Sequence, residues 1–274
     1  MILFLSQHPE RFQNQTPGPP NKMSPKTIHT AIVCLILATT LIRPQDGLAQ
    51  SENRPTQPGT DTFDIRTRSF LLPLSIKPGS WVHALSFTYV DLPSDWTLNQ
   101  LNEPMLTYSA KLGLPLGFTF QAGLSTLAIS NRLAFGPFWN YSVGHMHFGV
   151  GWQAGYILGV LNAEGYNTRF TGWDQEPTVI IGHSFKRFAL TLKGNLTWTN
   201  SVQFSEAGHN VPIWGSFLNG YAVSAGFEQR LYRSKVLQVG FKISSIRYHF
   251  LAWPAFPVNE SRNFVPEFHL GINL

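Results

Sequence analysis

The stretch His145–Leu158, HMHFGVGWQAGYIL, has the most regular alternation in the chain. Apolar or aromatic residues occupy every second position from Met146 to Leu158, and histidine, glycine or glutamine fill the positions between them. Successive side chains of a β-strand point to opposite faces, so a period of two predicts a strand with one apolar face and one polar, glycine-rich face. The stretch is also longer than most strands of globular proteins.

The composition favours a membrane environment for such strands. Apolar residues make up 43% of the chain and charged residues only 13%, against about 25% charged residues in typical soluble domains. After residue 49, however, no run of roughly 18 apolar residues occurs, which excludes a bundle of membrane-spanning helices. The apolar residues are instead spread over alternate positions.

The one long apolar run lies near the start of the chain. Ala31–Ile42, AIVCLILATTLI, follows Lys26, and the small residues of Gly47–Ala49 precede Gln50. This arrangement predicts a secretory signal peptide, so that residues 1–49 are a leader that is removed. The alternative, a membrane anchor, would need a longer run. The only cysteine, Cys34, lies in this leader, and the mature chain therefore offers no thiol for a disulfide or a nucleophile.

Charge and motifs exclude some partners. Removal of residues 1–49 takes away four basic and two acidic residues and lowers the formal net charge from +5 to +3. Nucleic-acid binding calls for a dense basic patch, so nucleic acid is not an expected partner. No motif in the chain implies a cofactor, and we expect none.

Two further segments are predicted downstream of the leader. Residues 50–79 are rich in Pro, Gly, Thr and charge and are interpreted as a flexible periplasmic linker; within them, Phe63–Ile76 is apolar enough to add a short strand or to pack at a barrel mouth. Residues 80–274 alternate in polarity between turn signals. The predicted strands are Trp81–Val90, Met105–Gly113, Phe118–Ala128, Arg132–Trp139, His145–Leu158, Thr178–Ser184, Phe188–Thr199, Phe217–Glu228, Val236–Ser244 and Phe264–Leu274.

The connections between these strands alternate between short and long, with one tight link near Asn131. This alternation predicts an all-β fold, a closed antiparallel up-and-down transmembrane barrel with short periplasmic turns and longer outer loops. The count is about ten strands, and eight or twelve stay open. Rings near strand ends, such as Trp81, Trp139 and Tyr221, lie where the aromatic girdles of such a barrel are found.

The polar faces of the strands are predicted to line a narrow lumen. With about ten strands, side chains and ion pairs fill much of the interior, so an obstructed lumen is favoured over a conducting pore. The predicted lumen-lining polar residues are Lys111, Arg132, His145, His147, Gln153, Lys193, Asn195, Glu228, Lys242 and Glu267.

The chain resembles the small bacterial outer-membrane β-barrels of the OmpA, OmpX and OmpW kind. The features that carry this resemblance are the alternating strands, the GLAQ at residues 47–50 and the final stretch FVPEFHLGINL, residues 264–274. The resemblance covers roughly residues 80–274 and implies insertion by the barrel-assembly machinery. In that family the last strand usually ends with an aromatic residue. Here it ends with Leu274, and Phe268 lies within the same strand.

Two groups of residues are candidates for chemistry. His145 and His147 are two apart on one strand and face the same way, as a shared metal ion would require. No third ligand can be assigned, however, and polar filling of the lumen is favoured over a metal site. His183 and Ser184 are adjacent and therefore lie on opposite faces of a strand, which does not suit a nucleophile and its base. No catalytic residue is assigned.

The predicted outer loops carry candidates for binding. Loops on a rigid scaffold often hold the functional residues, and rings with a few polar groups suit a binding surface. The alternative is that these rings extend the upper girdle or fold over the mouth. The candidates are Tyr166, Arg169, Phe170 and Trp173 in the loop Gly159–Pro177 and Trp253 in the last loop.

The functional expectation is a non-enzymatic barrel in the outer membrane of a Gram-negative bacterium, surrounded by outer-membrane lipids. Such a barrel would stabilise the envelope, or would bind or pass a small, apolar solute through its outer loops and a narrow lumen. A second hypothesis is a lipid hydrolase or acyltransferase with His and Ser side by side on the outer wall. A third is a soluble lipid carrier, in which the glycine-rich face would enclose a cavity.

Overall fold

The computed structural model describes residues 64–92, 102–127, 130–163, 166–206, 209–232, 235–248 and 262–274. The predicted signal peptide and residues 50–63 lie outside these ranges. Eleven strands are present in the described residues. They are β1 (Trp81–Asp91), β2 (Asn102–Gly113), β3 (Phe118–Thr126), β4 (Ser130–Val143), β5 (Met146–Ala163), β6 (Tyr166–Ser184), β7 (Phe188–Glu206), β8 (His209–Trp214), β9 (Phe217–Tyr232), β10 (Lys235–Ile246) and β11 (Asn263–Asn273).

Ten of these strands form a closed antiparallel barrel. Each strand from β1 to β7 pairs with the next one, β7 pairs with β9, and the ring continues through β10 and β11. It closes between the first and last strands, where Ala84 lies opposite Asn273 and Val90 opposite Glu267. The short strand β8 pairs only with the end of β7. The prediction of a closed up-and-down barrel of ten strands is therefore confirmed.

The strands on one side of the barrel are longer than expected. The segment Gly159–Pro177, predicted as a loop, continues the β5–β6 hairpin up to the pairing of Ala163 with Tyr166. Likewise β7 extends to Glu206 instead of Thr199. Strands β5, β6 and β7 have 18, 19 and 19 residues, whereas β1 and β3 have 11 and 9. The barrel wall is thus much taller on one side.

The outer face of the barrel is apolar. Phe148, Trp152 and Leu192 are exposed outwards by 40%, 42% and 53%, in agreement with the alternation of their strands. Aromatic rings lie near both ends of this surface: Trp81, Phe118 and Trp139 near the end with the short turns, and Tyr89, Trp173 and Trp198 towards the opposite end. An apolar band between two aromatic girdles matches the hydrocarbon layer of a bilayer.

A segment preceding β1 lies inside the barrel. We call Asp64–Gly79 the inner segment; it begins with a single 3-10 turn, Ile65–Thr67, and passes through the lumen at the end with the short turns. Among the described residues, no helix is long and apolar enough to cross a membrane. The inner segment falls within residues 50–79, the predicted periplasmic linker, and the structure gives residues 64–79 fixed contacts with the barrel wall.

A charged residue introduced on the apolar outer face is expected to destabilise the barrel more in the middle of a strand than at its end, because the middle lies deeper in the bilayer. Leu192→Arg, well inside β7, should lower the free energy of unfolding in phospholipid vesicles by about 2–4 kcal/mol, whereas Leu231→Arg at the end of β9 should cost about 0–1 kcal/mol. Urea titration of the refolded protein measures both values. Equal stability of the two variants would show that this face does not contact hydrocarbon.

Candidate functional site

The lumen contains three layers along the barrel axis. The inner segment closes the end with the short turns. Above it, six ionisable side chains form what we call the charged layer: Arg132, Asp174, Glu176, Lys193, Lys242 and Glu267. Closest to the opposite end, five buried apolar or aromatic side chains form the apolar layer: Met105, Ile157, Phe170, Val202 and Tyr248.

Glu228 on β9 anchors the inner segment. Its carboxylate accepts hydrogen bonds from the backbone N–H groups of Phe70 and Leu71, at 2.7 and 3.0 Å, and from the hydroxyl of Ser69. Asn273 on β11 donates to Glu228 at 3.1 Å and to the carbonyl of Arg68 at 2.6 Å. A buried carboxylate needs such donors, and buried backbone N–H groups need acceptors, so each satisfies the other.

Lys111 on β2 holds the same segment from the other side of the lumen. Its ammonium group donates a hydrogen bond to the carbonyl of Phe70 and lies 4.7 Å from the centre of the Phe70 ring. Lys111 and Glu228 are both almost fully buried, at 5% and 1% exposure. The inner segment is therefore held between a cation and an anion of the barrel wall.

Glycines of the wall make room for the inner segment. A Cβ atom added to Gly149 would lie 2.6 Å from Pro73 Cβ, and one added to Gly226 would lie 2.7 Å from Leu71 Cδ1. An added Cβ on Gly182 would collide with Leu72 in the same way. The glycine-rich face predicted for the strand at residues 145–158 thus includes a contact surface for a second piece of the same chain.

The first turn of the inner segment carries an ion pair. The carboxylate of Asp64 accepts hydrogen bonds from the backbone N–H and the guanidinium of Arg66, at 3.0 and 2.8 Å. The Arg66 guanidinium holds the pKa of the Asp64 carboxyl below its usual range. A lowered pKa in the folded state means that this stabilisation is present at neutral pH and is lost as the pH falls through the lowered value.

The charged layer contains two ion-paired clusters. Arg132 donates two hydrogen bonds to Asp174, at 2.9 and 2.6 Å, and lies 3.2 Å from Glu176. On the other side, Lys242 lies 2.8 Å from Glu267. The layer therefore carries three cations and three carboxylates, which balance in formal charge.

Gly155 allows the first cluster to form. Arg132 on β4 and Asp174 on β6 are separated by β5, where Gly155 lies opposite Asp174. An added Cβ on Gly155 would lie 2.7 Å from Arg132 Nη2 and would overlap Asp174 Oδ1. The side chains of Arg132 and Asp174 can therefore meet over β5 only where β5 has a glycine.

The apolar layer places a predicted loop residue inside the barrel. Phe170 is 1% exposed and packs with Met105, Ile157 and Val202. The sequence predicts an exposed ring in an outer loop for Phe170. The ring is buried instead, because the β5–β6 hairpin continues through this residue. Tyr248 joins the layer through Asn219, whose side-chain amide donates to the Tyr248 carbonyl at 2.9 Å and accepts from its N–H at 3.0 Å.

The charged layer surrounds a chamber of about 350 Å³. Phe70 of the inner segment lines one end of it, and Met105, Ile157 and Tyr248 line the other. Gln153 and Asn195, predicted to line the lumen, contribute to its wall. The chamber is large enough for a small molecule and combines ionic walls with an apolar layer on the side of the long hairpins.

The two candidate histidines lie in different surroundings. His145 is in the exposed turn between β4 and β5 and does not line the lumen, because the strand begins only at Met146. His147 is 2% exposed; its ring nitrogens lie 2.8 Å from Ser142 Oγ and 2.9 Å from Ser184 Oγ. Both nitrogens are therefore occupied. In the described part of the chain, no three His, Cys, Asp or Glu side chains are grouped to hold a metal ion.

The remaining loop candidates are found along the extended hairpin or lie outside the described residues. Tyr166 is the first residue of β6, Arg169 is exposed, and Trp173 points outwards from the same strand with 42% exposure. Trp253 lies outside the described residues. Tyr166, Arg169, Phe170 and Trp173 thus belong to one strand, β6, and not to a loop.

Several lumen residues were not identified from the sequence. Asp174 and Glu176 fall in a stretch without apolar alternation, and the contact of Ser184 with His147 depends on the register of β5 against β6. The only signal for Asp174 and Glu176 is their spacing of two, which places both carboxylates on one face once the segment is known to be a strand.

A side chain at Gly155 should disturb the charged layer. Gly155→Ala is expected to cost about 1–3 kcal/mol, since the Arg132–Asp174 pair must shift to admit a methyl group. Gly194→Ala is the control, because an added Cβ there meets its nearest atom, Val179 Cγ2, at 3.6 Å. Chemical denaturation of both variants measures the difference. Equal stability would mean that the ion pair does not depend on the space over Gly155.

Loss of the Glu228 charge should loosen the inner segment. Hydrogen bonds to an ionised acceptor are about twice as strong as neutral ones, so Glu228→Gln should make trypsin cleavage after Arg66 and Arg68 several-fold faster. Glu176→Gln is the control, because Glu176 is paired with Arg132 and not with the inner segment. Cleavage at the same rate in all three proteins would contradict the anchoring role of Glu228.

Comparison with known proteins gives similarities to solved structures alone. No family model and no curated protein matches the chain. Neisserial surface protein A is 11% identical, covers 71% of this chain and 95% of its own, and has a TM-score of 0.36. The translocator domain of the autotransporter NalP from Neisseria meningitidis is 12% identical, with coverage of 70% and 87% and a TM-score of 0.37. The toluene transporter TodX from P. putida is 10% identical, with coverage of 72% and 89% and a TM-score of 0.29. The fold assignment rests on the strand pairing of this chain itself.

Proposed function

We propose that this protein is a non-enzymatic outer-membrane barrel that binds small solutes in a lumenal chamber, which its own inner segment closes on the periplasmic side. The observation that carries the proposal is the chamber of about 350 Å³ between the inner segment and the apolar layer. In an up-and-down transmembrane barrel the short turns face the periplasm, so the inner segment lies at the periplasmic end.

The outer face supports the membrane location. A closed barrel satisfies every backbone hydrogen bond between its strands, as the interior of a bilayer requires. The exposed apolar side chains of this barrel, among them Phe148 and Leu192, would contact outer-membrane lipids. Insertion would use the barrel-assembly machinery, with β11 as the closing strand.

The lumen supports binding more than free diffusion. Charged and polar side chains of the wall surround the chamber in the middle of the lumen, and the inner segment occupies one end through Glu228 and Lys111. Open aqueous channels are found in barrels of 16 strands or more. The apolar layer, with Phe170 and Ile157, favours a solute that has an apolar part.

The geometry does not support the hypothesis of a membrane-facing hydrolase. That hypothesis requires His and Ser side by side on the outer wall. In this barrel, His147 and Ser184 face the lumen and are buried at 2% and 1% exposure. Both ring nitrogens of His147 are bonded to serine hydroxyls, with no carboxylate among the described residues in the position of an orienting acid.

Conductance in planar bilayers tests the closure of the lumen. The wild-type barrel should conduct little, whereas removal of residues 64–79 should raise the conductance several-fold because a ten-stranded lumen is then left without its inner segment. The paired substitutions Lys111→Met and Glu228→Gln release the same segment without a deletion and should act in the same direction.

Lys235→Met, at the exposed start of β10, is the matched control and should leave the conductance unchanged. Wild-type conductance as high as that of the deletion variant would show that the inner segment does not close the lumen. Recovery of the protein from soluble periplasm, with no association with outer-membrane fractions, would contradict the proposed location.

A further inference from the structure

A row of polar side chains crosses four neighbouring strands within the charged layer. Strand register places Lys193 of β7 opposite Ser224 of β9, Ser224 opposite Lys242 of β10, and Lys242 opposite Glu267 of β11. All four belong to the inward-facing positions and line the lumen. The row therefore presents two ammonium groups and one carboxylate at the same height.

In the next row of residues towards the inner segment, two neighbouring positions of the inner face carry no side chain. Gly226 of β9 and Gly240 of β10 lie directly opposite each other. Thr191 lies on one side of this pair and His269 on the other. A hollow of about 220 Å³ lies beside this pair, which we call the glycine niche. Leu71 of the inner segment takes the space over Gly226 and forms part of the wall of the niche, whereas the space over Gly240 stays open.

One cation of the niche has no hydrogen-bond or ion-pair partner among the described residues. Lys242 is ion-paired with Glu267 at 2.8 Å. The ring nitrogens of His269 lie 3.3 Å from Thr88 Oγ1 and 3.3 Å from Gln238 Oε1. Lys193, by contrast, forms no hydrogen bond or ion pair with any of the described residues, although it lines both the niche and the chamber.

The carboxylates around Lys193 are already occupied. Glu176 influences Lys193 electrostatically but is bonded to Arg132 at 3.2 Å. Glu267 is held by Lys242 and by the hydroxyl of Ser244 at 3.2 Å. An ammonium group inside a barrel gains most from an anionic partner, and the carboxylates near Lys193 in the described part of the chain are held by other cations.

We propose that the glycine niche binds small organic monoanions, with the anionic head on Lys193 and a compact apolar body in the niche against Leu71 and Ile180. This inference rests on the proposed solute-binding function and names the class of solute. The hollow of about 220 Å³ equals the liquid volume of roughly seven waters, which is the space of a short-chain or single-ring carboxylate.

Binding of matched probes to the purified full-length barrel in a zwitterionic detergent tests the charge requirement. Benzoate and benzamide have the same shape and differ in charge. By calorimetric titration, benzoate should bind at least about tenfold more tightly than benzamide, because a charged hydrogen-bond partner is worth more than a neutral one. Lys193→Met should remove this difference, whereas Lys235→Met at the exposed rim should keep it.

A second pair of variants tests the niche itself. Added at Gly240, a Cβ atom would meet its nearest neighbours at 3.4 and 3.5 Å, which is ordinary van der Waals contact. Gly240→Val should therefore keep the barrel folded and abolish benzoate binding by filling the hollow. Gly194→Val is the control, because Gly194 faces away from the niche, with Val179 Cγ2 at 3.6 Å from an added Cβ.

Three outcomes would overturn the inference: no benzoate binding to the wild type, equal affinity for benzoate and benzamide, or unchanged benzoate affinity in Lys193→Met. Inorganic phosphate that bound as tightly as benzoate would overturn the role of the apolar body. None of these results alters the conductance test of the inner segment. Failure of the niche and failure of the closed-chamber function are thus measured separately.

Discussion

The structure depends on the limited space inside a ten-stranded barrel. A lumen of this size is filled by wall side chains alone unless some of them are absent. Glycines at 149, 182 and 226 remove side chains where the inner segment approaches the wall, and Gly155 does so where Arg132 reaches Asp174. The glycine-rich inner face is therefore a consequence of packing, since each of these positions faces an atom that a Cβ would displace.

Space alone does not hold the inner segment, because its backbone also needs hydrogen-bond partners away from water. The wall supplies them through Glu228, Asn273 and Lys111, which bond the N–H and carbonyl groups of residues 68–71. An unpaired backbone group in such a site costs about as much as a lost hydrogen bond. The same three residues thereby hold residues 68–71 in place, and Phe70 among them forms one end of the chamber.

Alternation in the sequence predicted the ten barrel strands. It also predicted whether residues such as Leu192 and Lys193 point outwards or into the lumen, because this orientation depends only on a period of two. Contacts between strands depend on register, which alternation does not specify. The hydrogen bond between the side chains of Ser184 and His147 is one of these contacts between strands. Residues 166–177 lack apolar alternation because Asp174 and Glu176 point inwards, so their strand was predicted as a loop. The inner segment has an apolar sequence without a period, from which a short strand or packing at a barrel mouth is predicted, but not its course inside the lumen.

The hydrogen bonds of Asn273 also constrain the order in which the chain is assembled. This residue lies on the closing strand β11 and is separated from Arg68 by 205 positions, while Glu228 is separated from Ser69 by 159. The partners that fix the inner segment thus belong to β9 and β11, near the other end of the chain. The inner segment can reach its final contacts in the lumen only after these two strands have been synthesised.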